Sequence, residues 1–241
     1  MKNAIIILSG GLDSTVTAYY IKNKIKPKDF FGIFFDYGQR AVKEELFCAK
    51  KISSKLEIPL KIIKLDWLKD ISSILMRKNV KYPKTTKKDL GDIKKLYKES
   101  LLWWVPCRNS LFLLIALAYA ENRFISKNQR YDIYTGIREE GQLPFKDATK
   151  KFLKRVNELA EEATFHGNYK ILAPLINYDK DEVVRLGVKL KIPLQYTYSC
   201  YVGKGFKNKI PIHCGGCLAC KLRQAAFYWA NIKDLTRYKK F

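Results

Sequence analysis

The stretch that most constrains this chain is residues 4–15, in which five apolar residues precede Ser9-Gly10-Gly11-Leu12-Asp13-Ser14-Thr15. The apolar run predicts a strand buried on both faces, and Ser14 and Thr15 are predicted to cap the helix that follows. The N–H groups and the dipole at a helix N-terminus attract anions, and Gly10 and Gly11 let a phosphate approach without a Cβ in its way. The stretch therefore predicts a phosphate-binding loop.

Spacing excludes the two commonest loops of this kind. A Walker A loop needs a Gly-Lys-Ser/Thr run, and no Lys occurs here. The dinucleotide-binding fingerprint needs a third Gly and an acid about 20 residues further on. Ser-Gly-Gly-x-Asp-Ser directly after the first strand resembles the pyrophosphate loop of the PP-loop ATPases. That resemblance implies cleavage of ATP between its α and β phosphates and adenylation of a substrate.

Composition bounds the class of protein. The 241 residues are 47% apolar, which is enough for a full core and excludes a disordered chain. We find no apolar run long enough to cross a membrane, and the first strand begins at the N-terminus, so neither a membrane span nor a signal peptide is expected. Six cysteines, three of them clustered, indicate metal binding by thiolates in a reducing compartment rather than disulfides. We therefore expect a cytoplasmic protein.

The formal net charge of +23 raises the question of a nucleic-acid partner. Lysines are spread along the whole chain, with concentrations at residues 78–98 and 204–209. Compositional bias accounts for such a spread, and anionic small substrates such as ATP are attracted by the same field. Nucleic-acid binding is therefore an open alternative that the sequence does not favour.

The order of elements predicts an α/β fold. All-apolar or nearly apolar strands alternate with helical segments, which is typical of a parallel sheet covered on both faces. We predict a five-stranded, Rossmann-like parallel sheet with helices on both faces and a small zinc-binding appendage at the C-terminus. The predicted strands are residues 4–8, 30–35, 60–64, 132–136 and 169–173. The predicted helices are about 14–24, 42–56, 111–121 (capped by Asn109 or Ser110), 146–164 and 179–187 (ended by Gly187).

Residues 66–102 show no clear period. We predict a short helix near 66–76 and then a basic, mobile loop over 77–100 that could close over a site, because loops of this length in compact domains are usually functional or disordered.

Candidate ligand-binding side chains follow the predicted strands, where open α/β sheets bind their ligands. Asp36 and Tyr37 follow the second strand, although Asp36 could instead cap the next helix. Arg108 lies at the start of a buried helix and could hold a phosphate or carboxylate, or form a structural salt bridge. Glu139, Glu140 and Gln142 follow the fourth strand and could contact a ligand or magnesium, or form a solvated turn. The isolated Cys107 is predicted to be a small packed residue.

The last third of the chain carries a second strong signal. Cys200, Cys214, Cys217 and Cys220 form a C-x13-C-x2-C-x2-C pattern, and four thiolates complete a closed structural zinc site. An iron–sulfur cluster is the alternative, but the Cys-Pro of the bacterial ferredoxin pattern is absent. His213 could substitute as a ligand, and His166 has no predicted role.

Four motifs together resemble the 7-cyano-7-deazaguanine synthase family: Ser9–Ser14, Asp36-Tyr37-Gly38-Gln39-Arg40, Val105-Pro106-x-Arg108-Asn109, and the tail from Thr197 to Arg223 that contains the four cysteines. The resemblance implies a zinc-containing homodimer that turns 7-carboxy-7-deazaguanine, ammonia and ATP into the nitrile. It implies a PP-loop ATP-pyrophosphatase domain over residues 1–192 and a zinc-binding segment with a helix over 193–241. The nucleotide-binding residues we predict are Leu8, Ser9, Gly10, Gly11, Leu12, Asp13, Ser14, Thr15, Asp36, Tyr37, Arg108, Asn109 and Gly136.

The implied mechanism activates a carboxylate, whose own leaving group would be oxide. Transfer of AMP from ATP supplies a better leaving group, while the Ser9–Ser14 loop holds pyrophosphate. Ammonia then displaces AMP, and a second adenylation, on the amide oxygen, leads to the nitrile. Asp13 is the best side-chain candidate for Mg²⁺. Arg108 and Lys180 are the candidates to balance developing charge, so the predicted catalytic residues are Asp13, Arg108 and Lys180.

Two departures from the family pattern leave the acceptor amine open. Residues 139–147 lack the family's Asp-Tyr/Phe-Ser-Gly-Tyr-Pro-Asp-Cys-like run, with Asp147 as the remnant of its last acid, and the gap between Cys200 and Cys214 is longer than usual. A relative that ligates the deazaguanine acid to another amine, such as a protein N-terminus, is one alternative. A tRNA-modifying PP-loop enzyme and a non-enzymatic zinc-binding nucleic-acid module are two others.

Overall fold

The computed structural model describes residues 3–71, 74–75, 80–139 and 145–239. Its strands are β1 (Asn3–Ile7), β2 (Phe30–Asp36), β3 (Leu60–Lys64), β4 (Tyr131–Tyr134), β5 (Ile171–Leu172), β6 (Phe206–Lys207), β7 (Ile210–His213) and β8 (Arg237–Tyr238). Its α-helices are α1 (Leu12–Tyr20), α2 (Val42–Leu56), α3 (Ile93–Trp103), α4 (Arg108–Lys127), α5 (Lys150–Glu162), α6 (Lys180–Lys189) and α7 (Leu218–Trp229).

The predicted sheet is confirmed. Five strands pair in the order β3-β2-β1-β4-β5, and every pairing is parallel. In the centre of the sheet, Ile5 of β1 is level with Phe31 of β2 on one side and with Ile133 of β4 on the other. These three residues are buried. Strands with helices on both faces need apolar side chains in both directions, which explains the unbroken apolar runs.

Helices cover both faces of the sheet, as predicted. On one face the odd-numbered residues of β1 pack with α4 and α5, and the Phe35 ring stacks on Phe112 with 4.1 Å between centroids. On the other face the even-numbered residues of β1 pack with α1 and α2. A further cluster joins α1, α6 and α7. The first loop lies at the carboxyl edge of the sheet, because it directly follows the end of β1 and precedes α1.

Several predicted helix ends are wrong. Gly11, not Ser14 or Thr15, is the N-cap of α1, and its cap makes no side-chain hydrogen bond. Helix α4 begins at Arg108 after Cys107, which has a left-handed φ of 56°, so neither Asn109 nor Ser110 is the cap. Cys107 is exposed rather than packed. Helix α6 continues past Gly187 to Lys189, and a Cβ at Gly187 would lie 2.9 Å from Ile192 Cδ1, so the helix packs closely on Ile192 at this glycine.

The predicted mobile loop is also wrong over its last part. Residues 93–103 form α3, whose cap Asp92 accepts a hydrogen bond from the Lys95 N–H at 3.0 Å. The Thr85 N–H donates to the Gly216 carbonyl at 2.8 Å, which ties this segment to the cysteine-rich tail. On α3, Leu96 and Trp103 are buried while neighbouring apolar residues are exposed. The helix therefore lacks the wide apolar stripe from which a helix is predicted in a sequence. The earlier part of the predicted loop, residues 77–79, lies outside the described residues.

Beyond α6 the chain forms the cysteine-rich tail, residues 193–239. Strand β7 pairs with β6 and β8, and α7 packs against α6. The Tyr198 N–H donates to the Gly10 carbonyl at 2.8 Å, so the tail contacts the first loop directly. The division at residues 192 and 193 stays a prediction. No single helix in the described ranges is long and apolar enough to span a membrane; α3 and α4 would meet those criteria only together, as a pair bent by 50°.

Candidate active site

A cavity of about 330 Å³ opens at the carboxyl edge of the sheet, between the first loop and the start of α4. It is lined by nine of the predicted site residues: Ser9, Gly11, Asp13, Ser14, Tyr37, Arg108, Asn109, Gly136 and Lys180. Leu8, Gly10, Leu12 and Thr15 are buried behind the loop and shape it from within. Asp36 does not line the cavity; its Oδ1 accepts a hydrogen bond from the Gly38 N–H at 3.2 Å and holds the turn after β2.

The first loop is shaped by close backbone contacts. Gly10 has a φ of 77°, and a Cβ there would lie 2.4 Å from the Glu45 carbonyl oxygen, so this position excludes any side chain. The Ser9 hydroxyl accepts from the Gly11 N–H at 3.2 Å and lies 3.0 Å from the Ser14 hydroxyl. The first-turn N–H groups of α1 lack acceptors within the helix. The loop thus presents donors to an anion in the cavity.

Asp13 joins two cations from distant parts of the chain. Its Oδ2 lies 3.1 Å from Lys180 Nζ at the start of α6, and its Oδ1 lies 3.9 Å from Arg138 Nε after β4. Burial works to raise the pKa of Asp13, but the Lys180 ammonium and the Arg138 guanidinium outweigh it and hold this pKa below its ordinary value. The carboxylate is therefore ionised and orients two positive groups next to the first loop.

A second charged group lies at the N-terminus of α4. The Arg108 guanidinium faces Tyr37 and Asp147, and its Nε donates to Asn109 Oδ1 at 3.3 Å. Asn109 donates in turn to the Asp147 carbonyl at 3.1 Å, which fixes Asp147 on the cavity wall. Burial works to lower the pKa of Arg108, whereas its neighbours Tyr37 and Asp147 raise it above the ordinary value. Burial raises the pKa of Asp147 despite Arg108.

Glu45 of α2 adds a third acidic group to the cavity. Its Oε2 accepts from Gln39 Nε2 at 2.9 Å. Burial raises the pKa of Glu45 to about 7, with the Gln39 hydrogen bond and Arg108 opposing the shift.

The cysteine-rich tail forms part of the same cavity. Tyr198, Ser199 and Tyr201 line it. Arg223 of α7 is fully buried and donates to the Ser199 hydroxyl at 3.0 Å, to the Thr236 hydroxyl at 2.8 Å and to the Leu194 carbonyl at 3.2 Å. Because a buried guanidinium with three acceptors is held in one orientation, the tail presents a rigid wall to the cavity.

The four predicted metal ligands lie together in the tail. All four cysteines are fully buried, and their Sγ atoms lie within 4.8 Å of one another. The Cys214–Cys220 and Cys217–Cys200 sulfur pairs are 3.9 and 4.0 Å apart. Zinc–sulfur bonds of about 2.3 Å in a tetrahedron place sulfurs about 3.8 Å apart. Backbone N–H groups of Cys214 and Cys217 point at sulfurs, at 3.3 Å each. The donor set therefore fits a tetrahedral ion.

The two histidines lie outside the four-sulfur set. His213 is buried, and its Nε2 accepts from the Ser199 N–H at 3.1 Å, so this ring nitrogen links the tail to the cavity wall. His166 packs edge-to-face against Phe124 and Phe165.

Sequence reasoning missed Arg138 and Glu45 as site residues. Arg138 follows β4, where ligands are expected, and its position was the signal that could have identified it. Glu45 sits in the first turn of α2 between charged and apolar residues, and no motif distinguishes it from a surface residue. Glu139 does not line the cavity and lies 3.9 Å from Lys150 Nζ, as in a solvated turn, whereas Glu140 and Gln142 lie outside the described residues.

Comparisons with known proteins find a family model, sequence relatives and a solved structure that are similar to this chain. The family model described as "Queuosine biosynthesis protein QueC" matches residues 3–231. The 7-cyano-7-deazaguanine synthase of Methanosphaera stadtmanae is 39% identical over 237 residues and that of Methanococcus aeolicus is 37% identical over 242 residues, each match covering 98% of this chain and 98% of the relative. The solved structure of NMN synthetase from Francisella tularensis covers 95% of this chain and 84% of that chain, at 15% identity and a TM-score of 0.42.

Proposed function

The chain belongs to the family of the queuosine biosynthesis protein QueC, and from this premise we propose that it converts 7-carboxy-7-deazaguanine to 7-cyano-7-deazaguanine with ammonia and ATP. The observation that supports the proposal best is that one cavity is bounded by an anion-binding loop with two cations on one side and by Arg108 and Asp147 on the other. Adenylation of an acid needs both a phosphate site and a carboxylate site.

The loop of residues 9–14 would hold the β and γ phosphates, which leave as pyrophosphate. Donors arranged in advance where negative charge develops lower the barrier without reorganisation. Lys180 and Arg138 lie beside the loop and would balance the charge that grows as the bond between the α phosphorus and the bridging oxygen breaks. Asp13 orients both cations. The Asp13 carboxylate would also suit Mg²⁺, which when bound would supply positive charge to the phosphates.

Arg108 would hold the carboxylate of the deazaguanine acid. A guanidinium forms paired hydrogen bonds to a carboxylate, and its charge keeps the acid ionised and therefore nucleophilic toward the α phosphorus. Asp147, fixed beside it by Asn109, would accept hydrogen bonds from the amide-like N–H and amino groups of the base. The reacting atoms are thereby brought together from two ends of one cavity, and this positioning supplies much of the catalysis.

We propose zinc as the ion of the cysteine cluster, since four closely spaced buried thiolates and no carboxylate are typical of structural zinc sites. The zinc would tie separate segments of the tail to one another and so hold the Tyr198–Tyr201 wall in place. Metal analysis of the purified protein by mass spectrometry, with a zinc-to-chain ratio of one expected, tests this assignment, and iron with sulfide would contradict it.

The homodimer and the cytoplasmic location that the family resemblance implies are likewise proposals. Sedimentation velocity tests the dimer, and a monomer at all concentrations would contradict it. Small-molecule substrates agree with the name 7-cyano-7-deazaguanine synthase that the relatives carry.

The decisive experiment for the function incubates the protein with ATP, Mg²⁺, 7-carboxy-7-deazaguanine and ammonium, and reads product masses together with AMP and pyrophosphate. We expect the nitrile, with release of AMP rather than ADP. AMP release without nitrile would instead indicate ligation to another amine. Turnover only after tRNA is added would overturn the proposal.

A further inference from the structure

The carboxylate of Glu45 takes no part in the steps described above, although it lines the same cavity as Asp13 and Arg108. Its helix is locked to the phosphate-binding loop, because the Glu45 carbonyl oxygen and the Ala49 N–H occupy the space that a Cβ on Gly10 would need. A shift of Glu45 relative to the loop would therefore require the loop to move as well.

Gln39 holds the carboxylate in a defined orientation. The Tyr37 N–H donates to Gln39 Oε1 at 2.9 Å, and Gln39 Nε2 donates to the Phe35 carbonyl at 3.1 Å and to Glu45 Oε2 at 2.9 Å. Gln39 is buried, so its amide is fully committed to these three bonds. Among the described residues, Gln39 is thus the hydrogen-bond partner of this carboxylate, and Glu45 itself lines the cavity.

The surroundings of Glu45 set its protonation. Arg108 faces it from α4, Tyr37 and Asp36 from the end of β2, and Glu44 and Cys48 lie on its own helix. Burial and the negative neighbours together outweigh Arg108 and the Gln39 hydrogen bond, and the pKa of Glu45 lies at about 7. Both protonation states are therefore populated near neutrality, which is the condition for efficient proton transfer.

We infer that Glu45 is the catalytic base that takes protons from the amine nucleophile, an inference that rests on the proposed function. Ammonium gives one proton to the Glu45 carboxylate and becomes ammonia. The nitrogen lone pair forms a C–N bond at the carbonyl carbon of the acyl adenylate, the C–O bond breaks, and AMP leaves with the electron pair. Glu45, after passing its first proton to water, takes a second from the nitrogen and leaves the neutral amide.

The test separates adenylation from amination in the full-length protein. Exchange of labelled pyrophosphate into ATP that depends on the deazaguanine acid reports adenylation and needs no amine. Single-turnover formation of amide and nitrile, followed by mass spectrometry as a function of pH, reports amination. Glu45→Gln keeps the shape and the acceptor for Gln39, and Glu44→Gln is the matched control, because Glu44 is a buried neighbour that hydrogen-bonds the Gly205 N–H instead of lining the cavity.

We expect Glu45→Gln to keep pyrophosphate exchange within about threefold of wild type and to lose amination by about 100- to 10,000-fold, the usual contribution of a general base. The rise in the amination rate through pH 7 should disappear, and part of the rate should return at alkaline pH, where free ammonia needs no base. Glu44→Gln should retain both activities.

Two results would overturn this inference. Amination by Glu45→Gln at the wild-type rate and with the wild-type pH profile would remove the base role, and equal loss of exchange and amination would indicate a structural role. The absence of acid-dependent exchange in the wild type is a different result, which would overturn the proposed function itself.

Discussion

The cavity at the sheet edge and the cysteine cluster in the tail are both built around anionic groups, but they compensate charge differently. At the cavity, the Asp13 carboxylate is partly exposed and two protein cations balance it. In the cluster, four fully buried sulfurs are close together, and backbone N–H groups are the donors that point at them. Burial of unbalanced charge is costly. We therefore expect the cluster to need a bound ion for its stability, whereas the cation-balanced carboxylate of the cavity remains available to a substrate.

Removal of one sulfur is the strongest test of whether the cysteine cluster needs an ion. We expect Cys217→Ser to lower the free energy of unfolding by roughly 4 kcal/mol or more, because loss of a structural metal belongs to the most destabilising class of substitutions. Chemical denaturation, together with the zinc content, checks this expectation. Cys107→Ser is the matched control, since this exposed cysteine should change stability by no more than about 0.5 kcal/mol. Wild-type stability of Cys217→Ser would mean that the cluster needs no ion.

At the cavity, removal of a cation should affect activity much more than stability. Lys180→Met removes the 3.1 Å ion pair of Asp13 and leaves Arg138 as its ion-pair partner among the described residues. We expect acid-dependent pyrophosphate exchange to fall by about 100- to 1,000-fold, as for other groups that stabilise transition-state charge. Lys189→Met, at the exposed end of the same helix, is the control and should exchange normally. If Lys180→Met retained wild-type exchange, Lys180 would be a structural partner of Asp13 only.

A substitution that displaces the first loop without removing any charge tests the role of the cavity in a second way. A Cβ at Gly136 would lie 2.6 Å from the Ser14 N and 2.8 Å from its Cα, so Gly136→Ala must displace the loop. We expect exchange to fall by about 100-fold, the cost of misplacing reacting groups by about 1 Å. Gly91→Ala is the control, because no described residue other than its chain neighbours has an atom within 4 Å of its Cβ position. Equal rates for the two variants would argue against a role of the loop in pyrophosphate release.

The smallest expected effect is the pH dependence of stability that comes from Glu45. Its pKa in the folded protein, about 7, lies above its ordinary value of 4.5, so the folded state binds the proton more tightly than the unfolded chain. The contribution of this group to the free energy of unfolding is therefore fully present below pH 4.5 and is lost as the pH rises through about 7.

Glu45→Gln should remove this loss of stability at high pH. Above pH 7 its free energy of unfolding should exceed that of the wild type by about 1–3 kcal/mol, as measured by urea unfolding over a pH series. Glu44→Gln retains Glu45 and should keep most of the slope. A wild-type slope in Glu45→Gln would show that another group is responsible.

Sequence reasoning succeeded where the signal is local along the chain. The Ser9–Ser14 loop, the four cysteines and the apolar strands can be recognised from residues that lie close together along the chain. Each pattern reflects a backbone requirement or a repeat spacing that does not depend on the rest of the fold. The family resemblance that these motifs carry is confirmed by the relatives. Helix ends were less accurate, because Gly11 and Cys107 replace the expected side-chain caps.

The sequence by itself therefore determined the sheet, the glycine-containing turn of the Ser9–Ser14 loop and the four-sulfur cluster. The tertiary structure alone decided that Asp13 lies between Arg138 and Lys180, the latter 167 residues away, that Glu45 faces the cavity, and that the tail supplies part of its wall. The reason is physical. A local motif follows from backbone geometry within a few residues, whereas the proximity of charged side chains depends on how separate helices pack on one sheet, and no spacing along the chain encodes that packing.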